Sequence, residues 1–334
     1  MEKSRSNNQL SRRKFLELST AVAAFAAVPF NINEINKNMS LKPAKPDSVF
    51  GGVHIGAITY SWRSMPGSAE ETLKYCLEGN ISSIELMGYT AELFAGLPQA
   101  PERPDRNATE EQKAVFQKLM KETTEAQKKW RISASMEKFR ELRKMYNNAG
   151  VTIHITKFSP ENWSDEEIDY SFRAAKALGS RGVSTEIGDL SAKKLGPFAE
   201  KHGMQVILHQ HLQPGLPGWN FEKFLNLSPN NMLNFDAGHY FGATGLHPNG
   251  IIEKLHTRIT SIHLKDKTGP KGTPPNTNME WGKGETPIAD ILLLLKKNKW
   301  PINVDIELEY PVPEGSDAVK EVKKCVEFSK AILT

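Results

Sequence analysis

The sequence predicts a single (β/α)8 barrel, the TIM-barrel architecture, with a helical insertion between its second and third strands. Three observations predict it. From Gly51 onward, short β-rich segments alternate with amphipathic helical stretches. Eight such β segments fit into the roughly 280 residues that follow, the number and spacing of a closed parallel barrel with helical crossovers. The rival α/β architecture, a doubly wound open sheet, calls for a glycine-rich phosphate loop after its first strand, and no Gly-x-Gly-x-x-Gly occurs there.

The strands are expected at Val53–Tyr60, Ile81–Leu86, Val151–Thr156, Gly182–Ile187, Gln205–His209, Met232–Asp236, Ile259–Leu264 and Ile302–Leu308. Between them, apolar residues recur every three or four positions over 68–79, 164–178, 191–202, 286–298 and 316–332; Ile288, Ile291, Leu292 and Leu295 make one such stripe. Residues 98–150 break this rhythm. A Pro-rich loop leads into two charged helical stretches, 109–127 and 136–149, which read as an inserted helix plus the ordinary second crossover helix. Trp130, between them, is expected to pack.

The chain has 334 residues, 39% of them apolar and 25% charged, enough for a large core and far from the composition of a disordered or multi-span membrane protein. Its formal net charge is +4. Residues 1–30 carry five basic residues (Lys3, Arg5, Arg12, Arg13, Lys14) and two acidic ones, so the rest of the chain keeps 38 basic against 37 acidic of the total of 43 and 39. The near-neutral remainder gives no electrostatic footprint for nucleic acid. The run Ser11-Arg12-Arg13-Lys14-Phe15-Leu16, then the mild apolar stretch 21–28, resembles a twin-arginine export signal, which implies a periplasmic protein. That stretch is shorter than the about 20 residues that span a bilayer, so no stable membrane insertion is expected. Residues 31–50 read as a polar tether and 51–334 as the barrel. Cys76 and Cys325 are expected to be buried as small hydrophobes, although an oxidising compartment would allow a disulfide if the fold brought them together.

In a barrel, chemistry sits at the C-terminal ends of the strands. The fourth strand ends on Glu186, the fifth on His209-Gln210-His211, the sixth on Asp236-Ala237-Gly238-His239, the seventh on His263-Leu264-Lys265-Asp266 and the eighth on Glu307-Leu308-Glu309. Closure of the barrel aims these at one small volume. Carboxylates gathered there repel one another and lose solvation unless a cation joins them. Mixed imidazole and carboxylate donors suit one divalent ion such as Mn, Co, Zn or Mg, and the absence of thiolates rules out a cysteine-type zinc site.

These strand ends, with the loop Trp281-Gly282-Lys283-Gly284-Glu285, resemble the xylose-isomerase-like sugar phosphate isomerase/epimerase superfamily over nearly all of the chain from Gly51. Members commonly bind one metal through Glu, Asp, His and Glu from the last four strands. The resemblance assigns Asp236, His263 and Glu307 to the final three positions; the first falls to His209, where many relatives carry Glu, or to Glu186. It implies proton removal next to a carbonyl and a metal-stabilised enediolate, hence isomerisation or epimerisation of a sugar or keto-sugar, with a 3-keto-glycoside lyase (β-elimination) as the alternative. Glu186 or Glu307 is expected to be the base. Lys157 is expected to polarise an oxyanion, and His211, His239, Lys265 and Trp62 to contact substrate, although Lys265 and Asp266 also read as a lock for the seventh loop. A nuclease reading is disfavoured because the first three strand ends offer few ligands, and a non-catalytic sugar-binding barrel would be expected to carry a degraded ligand set. The expected partner is a small-molecule sugar; self-association is compatible with this reading.

Overall fold

The computed structural model describes residues 45–334. Residues 1–30, expected as an export signal, and residues 31–44, expected as part of the tether, lie outside the described residues. Eight strands form the barrel: β1 (Val53–Ile58), β2 (Ser83–Met87), β3 (Thr152–Lys157), β4 (Gly182–Glu186), β5 (Gln205–His209), β6 (Asn231–Asp236), β7 (Ile259–Leu264) and β8 (Asn303–Ile306). Each pairs in parallel with its sequence neighbour, and β8 pairs with β1 to close the ring. The order expected from sequence is therefore the order observed. Residues 45–50, expected as the end of the tether, lie instead against the barrel: Val49–Phe50 adds an antiparallel strand to β1, and Ser48 Oγ meets Ser82 Oγ at 2.8 Å.

The crossover helices are α1 (Ala69–Glu78), α2 (Gly88–Ala95), α3 (Glu110–Ser133), α4 (Glu137–Ala149), α5 (Asp165–Leu178), α6 (Asp189–Lys194), α7 (Gly196–His202), α8 (Glu222–Leu225), α9 (Ala237–Thr244), α10 (Asn249–Leu255), α11 (Ile288–Asn298) and α12 (Ala318–Leu333). Their starts are set locally. Ser164 and Glu167 form a reciprocal capping box on α5, and Thr109 and Gln112 do the same on α3. The main core lies between the strands and this helical ring, where Ile84, Leu86, Phe139, Tyr146, Phe172 and Ile291 have no accessible surface. Cys76 and Cys325 are buried there as free thiols. Among the described residues no helix is long and apolar enough to cross a membrane.

The interior of the ring is polar. His154 Nε2 and Asp305 Oδ2 lie 2.9 Å apart, and Ser261 Oγ donates to the same carboxylate. Gly56 makes room for that carboxylate: a Cβ on it would stand 2.5 Å from Asp305 Oδ1 and 2.7 Å from the Ser83 carbonyl oxygen. Above β7, Asp266 accepts backbone N–H bonds from Gly282 (2.8 Å), Gly284 (2.9 Å) and Thr286 (3.1 Å), which fixes the Trp281–Glu285 loop.

The insertion is α3, which buries none of its residues fully. It is held at its C-terminal end by Arg131. The guanidinium donates to both oxygens of Glu92 (2.7 and 3.2 Å) and to Glu167 Oε1 (3.3 Å), and lies over the Trp163 ring at 4.0 Å. Trp130 packs edge-on against Tyr170, as expected of a packing residue. Both carboxylates depend on Arg131 for charge compensation. Arg131→Met should therefore destabilise the fold by about 3 kcal/mol, the scale for stranding a buried charge, seen as a lower midpoint in urea at unchanged slope.

Candidate active site

The strand ends converge as the sequence leads one to expect. Glu186, His209 and Asp236 are the last residues of β4, β5 and β6; His263 lies near the end of β7; Glu307 follows β8 directly. Strand ends in a parallel barrel present i and i+2 to the same side. Thus His209 carries His211 with it, His263 carries Lys265, and Glu307 carries Glu309. Asp236 is also the N-cap of α9, its Oδ1 accepting the His239 N–H at 2.6 Å, which turns His239 toward the same volume.

The donors fall into two layers. The deep layer is His209, Asp236, His263 and Glu307, four buried residues that each offer one ligand atom within 4.8 Å of the others. His209 Nε2 and Asp236 Oδ2 face each other at 3.4 Å, and neither has a directed hydrogen-bond partner although both are buried. His209 Nε2 is left without a partner and Asp236 Oδ2 has only the off-line Lys265 ammonium at 2.9 Å, and a divalent cation held by the four residues would engage both atoms. The residues therefore fit a metal ion of the Mn, Co, Zn or Mg type.

The outer layer begins with Glu186, whose side chain is 40% exposed. Its Oε1 takes the Lys157 ammonium at 2.6 Å; its Oε2 lies 3.2 Å from His209 Nδ1 and 2.9 Å from His211 Nε2. His211 Nδ1 meets His239 Nε2 at 3.3 Å. Burial pushes the Glu186 carboxyl up, but hydrogen bonds from His209 and His211 and the Lys157 charge outweigh it and hold the group well below the usual carboxylate range. The Glu186 hydrogen bond raises His211, whereas burial pushes His239 down to about 4. The site thus keeps an ionised carboxylate next to one imidazole that favours its proton and one that sheds it. His209 belongs to the deep four-donor set, and Glu186 stands beside it as its neighbour on the other ring nitrogen.

Two site residues expected from sequence have different surroundings in the structure. Lys265, expected to touch substrate or to help lock the seventh loop, is 2% exposed and surrounded by Asp236, Glu307 and Glu309, while the loop is held by Asp266, by the Lys267 backbone and by the Gly269 N–H on Glu285. Trp62 is 3% exposed and packs against Tyr75, so it does not form an open floor for a sugar ring. The exposed aromatic of that segment is Tyr60, with Arg63 over its face.

The sequence reading gave no role to Glu85 or Glu309. Glu85, on β2, is fully buried; its Oε2 lies 2.7 Å from His263 Nε2 and accepts from Asn234 Nδ2 at 2.6 Å. Burial raises the Glu85 carboxyl, but the His263 charge overrides this and brings it down to about 2. His263 is pushed down by burial and raised well above its ordinary value by Glu307 and Glu85 together. Its Nδ1 faces Glu307 at 2.9 Å, so Nε2 is committed to Glu85 and the ring is oriented from behind. The signal for Glu85 was a lone charge inside an apolar strand, Ile84-Glu85-Leu86. Glu85→Gln should weaken divalent-ion binding by about 10–100-fold with the fold intact, measurable by equilibrium dialysis of the purified protein.

Comparison with known proteins agrees with this architecture. Over 76 residues the chain is 34% identical to an inosose dehydratase of Clostridium beijerinckii, which is 22% of this chain and 25% of that protein. The chain thus aligns with about a quarter of the length of the curated relatives it matches. A sugar phosphate isomerase/epimerase structure from Parabacteroides distasonis superposes with a TM-score of 0.54 at 15% identity, covering 88% of this chain and all of that one. A D-psicose 3-epimerase from Clostridium cellulolyticum gives 0.54 at 12% identity, covering 84% and 99%. At these identities the structures share the fold. Residues 191–332, the stretch that supplies His209, Asp236, His263 and Glu307, match the family described as xylose isomerase-like TIM barrel.

Proposed function

We propose that this protein is a divalent-metal-dependent isomerase or epimerase of a sugar or keto-sugar, working by proton removal next to a carbonyl. The observation that carries this reading is the deep four-donor set lying against an ionised, solvent-reachable carboxylate, Glu186. A divalent ion held by His209, Asp236, His263 and Glu307 would supply Lewis acidity toward a carbonyl and its neighbouring hydroxyl.

The chain's own groups handle the proton. Lys157 fixes Oε1 of Glu186 and keeps the carboxylate charged, which leaves Oε2 to act as base. That oxygen faces His211 Nε2 at 2.9 Å, and His211 Nδ1 lies 3.3 Å from His239 Nε2, so a proton taken from carbon is held on Glu186 at the head of a hydrogen-bonded chain of two imidazoles. Glu307, the other candidate base, has a side chain only 6% exposed and lies between His263 and Lys265, whereas the Glu186 side chain is 40% exposed. We therefore assign the base to Glu186, and retain Lys157 as the group that would also polarise an oxyanion.

One observation favours a second reading, a dehydratase or 3-keto-glycoside lyase. Base and acid stand on the same side: His211 is within reach of Glu186 and is placed to protonate a departing oxygen. The matched segment of the inosose dehydratases accords with that. A non-catalytic sugar-binding barrel would have no use for buried, unsatisfied donors. We place the activity in the periplasm on the strength of Arg12-Arg13 and the stretch after it, with a neutral sugar rather than nucleic acid as partner.

NMR of the Mn- or Co-loaded protein with a panel of keto-sugars in D2O tests this. Deuterium entering next to the carbonyl is expected; no exchange across the panel would overturn the reading, and release of an aglycone would assign the lyase. Glu186→Gln should lower kcat by about 100-fold or more while KM moves far less. Asp236→Asn, which keeps an oxygen to cap α9, should abolish stoichiometric metal binding and activity while leaving thermal stability nearly unchanged.

A further inference from the structure

Lys265 puts a positive charge where the ion would sit. Its Nζ stands 2.9 Å from Asp236 Oδ2, 2.8 Å from Glu307 Oε2 and 2.7 Å from Glu309 Oε2. Only the bond to Glu309 is a directed hydrogen bond; toward Asp236 Oδ2 the ammonium group is close but off line. Asp236 and Glu307 supply two of the four deep donors. The lysine therefore bears on the same two carboxylates a metal would use, and like charges at such spacing oppose each other strongly in a site with little water.

Glu309 offers the way out. It projects two residues beyond Glu307, its side chain is 20% exposed, and Asn278 Nδ2 lies 3.5 Å from its Oε2. It is the one carboxylate of the three outside the four-donor set. We propose that Lys265 is a built-in counter-cation of the centre: it compensates Asp236 and Glu307 while the ion is absent and is drawn onto Glu309 when the ion binds. Lys265 then opposes metal binding and Glu309 favours it. This rests on the metal-dependent reading above.

The test is titration of the metal-stripped full chain with Co2+ alone, followed by visible absorption and calorimetry. Lys265→Met is expected to tighten Co2+ binding by about tenfold or more, and Glu309→Gln to weaken it by a similar factor. In the Lys265→Met background the Glu309 substitution should have much less effect, because it acts through the lysine. Should Lys265→Met fail to fold without metal, Lys265→Gln removes the charge, retains a donor for Glu309 and should also tighten binding. The rise in Tm produced by saturating Co2+ should be larger in the lysine variants than in the wild type. Binding to the wild type that is unchanged or weakened by both lysine variants overturns this inference and leaves the metal reading standing. No binding to any of the proteins overturns both.

Discussion

Five carboxylates share the mouth and upper interior of one barrel: Glu85, Glu186, Asp236, Glu307 and Glu309. Closing eight parallel strands brings them together, and their mutual repulsion in a water-poor space is the constraint the rest of the site answers to. Lys157 answers for Glu186, His263 stands between Glu85 and Glu307, and Lys265 lies among the remaining oxygens. Each compensation also orients its partner. The pairing that makes the fold tolerable is the same pairing that fixes where a proton or a cation can go.

The barrel interior extends this logic downward. Where many (β/α)8 barrels fill the ring with branched apolar side chains, this one sets Glu85, Asn234, Asp305, His154 and Ser261 inside it. Hydrogen bonds with Glu85 and Asn234 hold His263 from beneath, while His154 and Ser261 bond to Asp305, so the apolar packing is left to the space between strands and helices.

Most of the fold was legible because parallel strands and crossover helices have different periods, and eight alternations admit few architectures. The strand-end residues were legible for the same reason: once the strands are placed, their ends are placed. Glu85 was harder, because it sits mid-strand, and a side chain there faces the ring or the helices according to a register that sequence does not state. Lys265 and Glu309 follow His263 and Glu307 at a spacing of two, which does predict a shared side. The burial of a lysine runs against its usual exposure, and only the three carboxylates around it explain it. Trp62 turned inward, where Tyr75 of the next helix, α1, offers its indole an aromatic neighbour.

Asp266 is joined to Lys265 by a single peptide bond, and its carboxylate is bound by the backbone N–H groups of Gly282, Gly284 and Thr286. A Cβ at position 284 would lie 2.2 Å from that carboxylate. The surface loop and the buried lysine are thus mechanically one piece. A side chain placed at position 284 would press on Asp266 and so be felt, one peptide bond away, by the lysine at the barrel mouth.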